Sequence, residues 1–512
     1  MTLRLSSRPW RFFSIATEHT ERVALLAAVL AAWAAAVPLE NWRFPYYRIA
    51  AERDEIRSSA SGLFWDDLGA AATFDSSLWP DTALYGTNHF AAEPAFELGL
   101  ANEPFATGKK SNLRGNLLTD FRFGKLSVRN ALDVDQGYQS DSTYPWHTER
   151  FAAGRIEEAY AQFSGRYGFA RLGRMNRCWG PFPDRSIFLS NNPFSYDGFE
   201  WQFNVPFLEF RHLFAAFPQV FGGGADAADA KTNRYLTAHA LNFIVGKWLS
   251  AGVVESVVFA RDGGFPDMQY INPVSVYTVI NTNHEGRGNL MLGFQALAHP
   301  FTEKVTLKGQ VLFDDFQVDA ETAGDREPTH WALDVGGYVK DFTPIPLKHH
   351  AGVEYHYLSK WIYTVNQGNT DRGERYIYRG KSLGYPTIDG DGFRGAVTLI
   401  GNNYWAATVG AGIARQDTNT VATPWPDDTA LHGALGYTDE DPLSGRDNVE
   451  QTVSVFFQMH GHFRDFASAH LGVDNRWIRN KENTGDNETL YDPRVVFRLT
   501  LHYSDFFLTF GK

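Results

Sequence analysis

The stretch "RVVFRLTLHYS", Arg494–Ser504, alternates without a break. Val495, Phe497, Leu499, Leu501 and Tyr503 fall on one side of an extended chain. Arg494, Val496, Arg498, Thr500, His502 and Ser504 fall on the other. Successive side chains of a strand point to opposite faces, so this segment carries an apolar ribbon and a polar, cationic ribbon back to back. Such a strand separates an apolar medium from a wet one.

The same period recurs along the chain. Over Gln451–Phe463, Val453, Val455, Phe457, Met459, Gly461 and Phe463 oppose Ser454, Gln458, His460 and His462. Over Lys125–Asp135, Leu126, Val128, Leu132 and Val134 oppose Lys125, Ser127, Arg129, Asp133 and Asp135. Further runs lie near 305–313, 333–340, 351–359 and 396–411, with aromatics towards the strand ends. Long polar connections at 261–269, 319–329, 366–394, 415–449 and 480–492 alternate with short turns. Lipid-facing apolar residues, polar residues inside, aromatic girdles and unequal loops are the pattern of a transmembrane β-barrel. At roughly 22–24 residues per strand and connection, the chain after its N-terminal region holds about 18 strands. A propeller would show a repeat of about 40–50 residues, which the sequence lacks.

Composition agrees. Aromatics are 15% of the 512 residues, with 40 Phe, 22 Tyr and 14 Trp. The mean hydropathy is nevertheless −0.32. Period-two strands produce both at once, because every second residue is polar. The formal charge of −12 excludes the basic footprint of a nucleic-acid binder. The single cysteine, Cys178, excludes an intramolecular disulfide and a multi-cysteine zinc site.

Arg4, Arg8, Arg11 and Arg22 precede the apolar run "VALLAAVLAAWAAA", Val23–Ala36. A basic start, a short apolar core and a small-residue end predict a secretory signal peptide over 1–36. Residues 37–95 do not alternate, and "YYRIAAERDEIR" and "LFWDDLGAA" predict short helices in a periplasmic or irregular segment. The barrel is then expected over 96–512, as a closed antiparallel all-β transmembrane barrel of about 18 strands with inward-folded loops, in the outer membrane of a Gram-negative bacterium.

One segment breaks the period. "GRMNRCWGPFPDRSIFLSNNPF", Gly173–Phe194, packs aromatics and turn formers between two strand-like runs, which predicts a loop folded into or over the lumen. It belongs to an ordered set of motifs. "EEAYAQFSGRYGFARLGR" (Glu157–Arg174) is followed by "WGPF" (Trp179–Phe182) and "LSNNPFSYDGFEW" (Leu189–Trp201). Then come "RYLTAHAL" (Arg234–Leu241), "GVVESVVF" (Gly252–Phe259) and "YINPVSVY" (Tyr270–Tyr277). "GQVLFDDFQVD" (Gly309–Asp319), "VEYHYLSKWIYT" (Val353–Thr364) and "GKSLGYPTIDGDGF" (Gly380–Phe393) complete it. Over about 155–395 the set resembles the capsule-assembly Wzi family of outer-membrane proteins. The resemblance implies a barrel with a periplasmic helical bundle, acting as a lectin that holds capsular polysaccharide or exopolysaccharide at the cell surface. Here the N-terminal region is short for a full bundle.

Candidate site residues follow. Aromatic faces stack on sugar rings while Asn and Asp fix hydroxyls, so Trp179, Asn191, Asn192, Tyr196, Asp197, Trp201, Trp361 and Tyr363 are the glycan-contact candidates. Arg174, Glu255, Asp314, Asp315 and Glu354 are candidates for a lumenal charge network that braces the inward-folded loops. Asp314 and Asp315 are adjacent and must point to opposite faces. The sequence carries no HExxH helix, and a non-catalytic role without cofactor or metal is expected. The expected partners are the polysaccharide and outer-membrane lipid and lipopolysaccharide around a monomer. A porin or sugar-selective channel and a membrane-embedded hydrolase are the alternatives.

Overall fold

The computed structural model describes residues 88–509 apart from 105–108, 140–143, 145–152, 166, 183–184, 218–231, 263–264, 284–287, 316–328, 366–372, 402–404, 426–447, 464–465 and 503–505. The signal peptide over 1–36 and the helices expected before residue 88 lie outside the described residues.

The first strands are β1 (His89–Ala101), β2 (Ser111–Phe123), β3 (Leu126–Asp135), β4 (Ala153–Gly165), β5 (Gly168–Met175), β6 (Tyr196–Val205) and β7 (Leu208–Phe217). They continue as β8 (Thr232–Val245), β9 (Leu249–Asp262), β10 (Asn289–Ala298), β11 (Val305–Asp315), β12 (His330–Lys340) and β13 (Lys348–Leu358). A small hairpin, β14 (Ile377–Tyr378) and β15 (Lys381–Ser382), precedes β16 (Gly390–Gly401), β17 (Trp405–Gln416), β18 (Glu450–Phe463), β19 (Ala467–Arg479), β20 (Thr489–His502) and β21 (Phe506–Thr509). Two helical turns, α1 (Met268–Ile271) and α2 (Tyr277–Thr282), lie between β9 and β10.

Each wall strand pairs antiparallel with its sequence neighbour. β20 and β21 both run against β1, as Phe96↔Leu501 and Phe90↔Leu508, and close the sheet. Counted together they make one stave, and the wall is a closed barrel of 18 strands. β1 begins at His89, ahead of residue 96, because Pro94 and the alanines around it hide the alternation there.

Faces follow the period-two pattern. On β18, Val453, Val455, Phe457 and Met459 are exposed and face outward, while Ser454, Phe456, Gln458 and His460 face the lumen. Phe243, Val253, Phe294, Leu307, Val335 and Val353 continue the outer apolar band. Connections alternate in length. Short turns such as Gly124–Lys125, 206–207 and 246–248 lie at one end, and long ones such as 176–195, 263–288 and 359–389 lie at the other. In outer-membrane barrels the short turns are periplasmic and the long loops extracellular. Exposed Tyr167, Phe207, Trp248, Phe301 and Phe466 ring the short-turn end as an aromatic girdle.

Two long connections fold inward. The described residues of 176–195, after β5, and of 359–389, after β13, meet inside the barrel. Tyr363 Oη donates to Ile187 O at 2.5 Å, Ser190 N to Leu383 O at 2.7 Å and Asn192 Nδ2 to Ser382 O at 3.0 Å. Gly384 is the point of closest approach, since a Cβ there would lie 2.5 Å from Tyr363 Oη and 2.7 Å from Ile187 O. Trp179, Ile187, Phe188, Leu189, Tyr363, Tyr376 and Leu383 form one buried cluster with inward residues of the wall, among them Leu213, Leu236, Val254, Met291, Leu312 and Leu358. These wall residues come from β7 to β11 and β13, so the plug fills the lumen against that side.

Candidate functional site

The plug is held by polar groups that the wall strands present at fixed heights. Gln310 Oε1 accepts from Ile187 N at 3.1 Å and Ser186 Oγ at 3.0 Å. Asp314 Oδ2 accepts from Tyr363 N at 2.5 Å. Arg234 on β8 donates to the carbonyls of Gly373, Arg375 (3.2 Å) and Ile377 (3.1 Å). Arg185 reaches across the lumen to Asp334 at 3.1 Å and Glu354 at 2.8 Å. Burial drives the Tyr363 and Tyr376 hydroxyls well above their usual range; Tyr363 Oη donates to Ile187 O, and Tyr376 Oη accepts from Ser256 Oγ at 3.0 Å.

A buried ionic knot lies beneath Trp179. Arg171, Arg177 and Arg211 surround Glu200 at 3.2, 3.1 and 2.5 Å. All four side chains are almost wholly withdrawn from solvent. The Arg211 guanidinium also sits 4.9 Å from the Trp179 ring centroid, and Arg177 lies 4.6 Å from that of Tyr196. Planar guanidinium groups satisfy several acceptors and stack on rings at once, which suits them to such a knot.

Several expected residues therefore have places in the plug. Trp179, Tyr196 and Tyr363 are buried in its core, and Trp361 packs beside Trp425 and, edge-on at 6.1 Å, His330. Asn191 and Asn192 are half-buried at its margin. Asp314 and Glu354 face inward and bind plug atoms. Asp315 follows a register shift after Phe313, and its side chain lies outside the described residues.

Three expectations need correction. Arg174 does not face the lumen: it continues the outward face of Leu172 and pairs with Asp197, at 2.5 Å, near the extracellular ends of β5 and β6. There it avoids the midplane, where a lipid-facing Arg costs about 2–4 kcal/mol. Trp201 is also outward, against Phe210 and His212. Glu255 shares the outward face of β9 with exposed Val253, yet it is buried. Residues 265–283 lie against the outside of the wall and cover it. Glu255 accepts from Tyr277 N at 3.0 Å, Thr278 Oγ1 at 2.5 Å and His239 Nε2 at 2.9 Å. This outer flap hides a polar set at membrane depth and offers Val274, Val276 and Val279 in its place.

The other side of the lumen has no such cover among the described residues. The inward face of β16 to β20 carries Arg394, Thr398, Thr408, Ser454, Gln458, His460, His470, Asp474, Arg476, Asp492, Arg494 and Arg498. Many of these are half-buried, and Arg494 and Arg498 are exposed. At the plug margin Tyr385 Oη lies 3.1 Å from His356 Nε2, and on the wall Tyr338 Oη donates to Glu354 at 2.5 Å. Arg494 and Arg498 stand on the polar ribbon of Arg494–Ser504, so the sequence signal for this wall was present.

No protein-family model matches the chain, and no curated protein matches it. Among solved structures the chain is similar to Wzi, an outer-membrane protein involved in group 1 capsule assembly in Escherichia coli and described as a carbohydrate-binding β-barrel. The identity is 12%, the match covers 86% of this chain and 89% of Wzi, and the TM-score is 0.55. Acinetobacter baumannii OccAB4 matches at 9% identity over 83% of this chain and 99% of its own, with a TM-score of 0.45. Pseudomonas aeruginosa OprD matches at 11% identity over 83% and 96%, with a TM-score of 0.43. Fold, apolar band and girdle define an outer-membrane β-barrel of the Gram-negative kind.

Proposed function

We propose that this barrel is a non-catalytic carbohydrate-binding protein that holds capsular polysaccharide or exopolysaccharide at the cell surface. The observation that carries the reading is the margin where the two inserts meet. Asn191, Asn192, Lys381 and Tyr385 are half-buried there beside exposed Pro386 and Thr387, on a plug that hydrogen bonds fix to the wall. Ring faces and amides on a rigid support are what a sugar site needs. The similarity to the carbohydrate-binding barrel Wzi supports the same reading. Buried Trp179, Tyr196 and Tyr363 act here as the support, and the contact role passes to the half-exposed margin. The barrel works as a monomer, its outer band in lipid and lipopolysaccharide.

The test is retention of the host strain's purified surface polysaccharide by the full-length protein in vesicles. Tyr385→Ala is expected to weaken retention about tenfold, in keeping with about 1–3 kcal/mol for a stacked ring. The barrel's heat-modifiable gel mobility should stay unchanged. Absence of retention by the wild-type protein would end this reading.

A further inference from the structure

Connections at the extracellular end expose different surfaces. The turn 480–488 shows Lys481, Glu482, Asp486 and Glu488 to solvent. Residues 265–283 carry one charged side chain, Asp267, in a chain where 21% of residues are charged, and it pairs with Arg261. What they expose is mostly apolar: Val274 is 79% exposed and Val276 53%, with Phe265, Met268 and Val279 beside them. Polar groups of the same segment turn to the wall. Tyr277 Oη lies 2.8 Å from Thr237 Oγ1, while Thr278 Oγ1 and the Tyr277 and Thr278 amides donate to Glu255. A contiguous apolar surface of this kind marks contact with lipid or with another protein.

Height and backbone pairing both favour lipid. Glu255 stands seven residues above Trp248 of the short-turn girdle. At about 3.3 Å per residue and a tilt near 40°, it lies roughly 18 Å above that girdle, in the extracellular half of an apolar band about 25 Å tall. The start of α2 is therefore held at the depth of outer-leaflet acyl chains. Hydrocarbon tolerates irregular backbone only where its polar groups are paired. Here Asn272 N donates to Met268 O at 3.1 Å, Ser275 N to Asn272 O at 3.2 Å and Ile280 N to Val276 O at 3.3 Å. Even exposed polar side chains are turned inward on the flap: Asn272 Oδ1 accepts from Val274 N at 3.3 Å, and Thr282 Oγ1 donates to Thr278 O at 2.8 Å. A surface made to meet a second protein has less need of this internal pairing, because the partner supplies it.

We propose that residues 265–283 form a membrane-seated ledge on the outer wall that takes an acyl chain of lipopolysaccharide, with Val274, Val276 and Val279 as the contact. The source of the chain follows from the height, since lipopolysaccharide supplies the chains of the outer leaflet. An uncharged valine surface packs a saturated chain by dispersion along its length. Towards the midplane, exposed Val253 on β9 and Phe294 on β10 face each other across the strands and continue that surface. The seated chain holds the flap down over Thr237, His239 and Glu255, polar groups that hydrocarbon would otherwise meet at high cost. This proposal does not rest on glycan binding at the plug margin.

The experiment is photo-crosslinking of the full-length protein in intact outer membranes, with p-benzoylphenylalanine in place of Val274, of Val276 or of Phe243. Phe243 is exposed on the same outer wall, near the periplasmic end of β8 and so at inner-leaflet height. Heat-modifiable mobility shows which variants are folded, and two flap positions keep the test open if one variant fails to fold. Irradiation is expected to shift the Val274 and Val276 variants into adducts that an antibody to lipopolysaccharide detects, with none at Phe243. Mild acid, which splits lipid A from the core sugars, should leave lipid A on the protein, because the link is to a chain. A folded flap variant without a lipid adduct, or an equal adduct at Phe243, would overturn the proposal. So would an adduct that keeps only sugar after acid, an adduct with phospholipid alone, or an adduct with a protein, a second copy of this chain included.

Discussion

The wall from β5 to β13 and the wall from β16 to β20 share one architecture and differ in what their inner faces are for. Both alternate apolar outside and polar inside, and both are built with arginines. On the first, polar side chains are spent on holding the inserts, and the arginine heads are dry. On the second they face water. The difference shows that a lumenal charge has two uses, bracing and contact, and that the same residue type serves either according to whether chain folds over it.

The largest effect expected on this contrast is at Glu200. Glu200→Gln leaves three buried guanidinium groups around a neutral amide, and breaking such a buried cluster costs about 3–5 kcal/mol. Denaturant titration followed by gel mobility should show that loss. Trp179→Ala should cost a similar amount, about 3–5 kcal/mol, through the cavity left in the plug. It should loosen the inserts, so protease should cut 176–195 faster. Glu255→Ala, which removes the acceptor for the outer flap's Tyr277 and Thr278, should cost about 1–3 kcal/mol and expose 263–288 to the same protease while leaving 176–195 protected.

A smaller, reversible effect comes from pH. The Tyr363 and Tyr376 hydroxyls have their pKa raised by burial in the plug, so the folded form holds their protons more tightly than the unfolded form. The plug's stability is full below about pH 10 and falls as the pH rises above it, because only the unfolded chain then releases those protons. Tyrosine absorbance should therefore ionise in two groups, with the late group appearing as the inserts come free. Arg494→Gln should change stability least, within about 0.5 kcal/mol, because its side chain is half in water.

The strand framework was legible because lipid and water impose the period directly. Val495, Phe497 and Leu501 are outward in β20 as their alternation requires, and Gly173–Phe194 broke the period because it leaves the wall. The facing of Arg174 and Glu255 was not legible. A charge on the outer face looks like a lumenal charge in sequence, and what distinguishes them is distant: Asp197 for the first, and for the second a flap centred about twenty residues further on. The bracing set was hidden for the same reason, since Arg185 meets Asp334 and Glu354 only after the inserts have crossed the lumen. Aromatic content marked the plug correctly and its exposure wrongly, because Trp179 and Tyr363 suit a core as well as a sugar site.

The central claim is that one half of the lumen is filled and the other is wet. Thiol accessibility tests it most directly. Ser256 on β9 is buried and bonded to Tyr376 Oη at 3.0 Å, whereas Ser454 on β18 is half-exposed on the open face. With Cys178 replaced by Ser as background, an anionic methanethiosulfonate should label Ser454→Cys in intact vesicles and leave Ser256→Cys unlabelled. Equal labelling of both, or protection of both, would contradict the account.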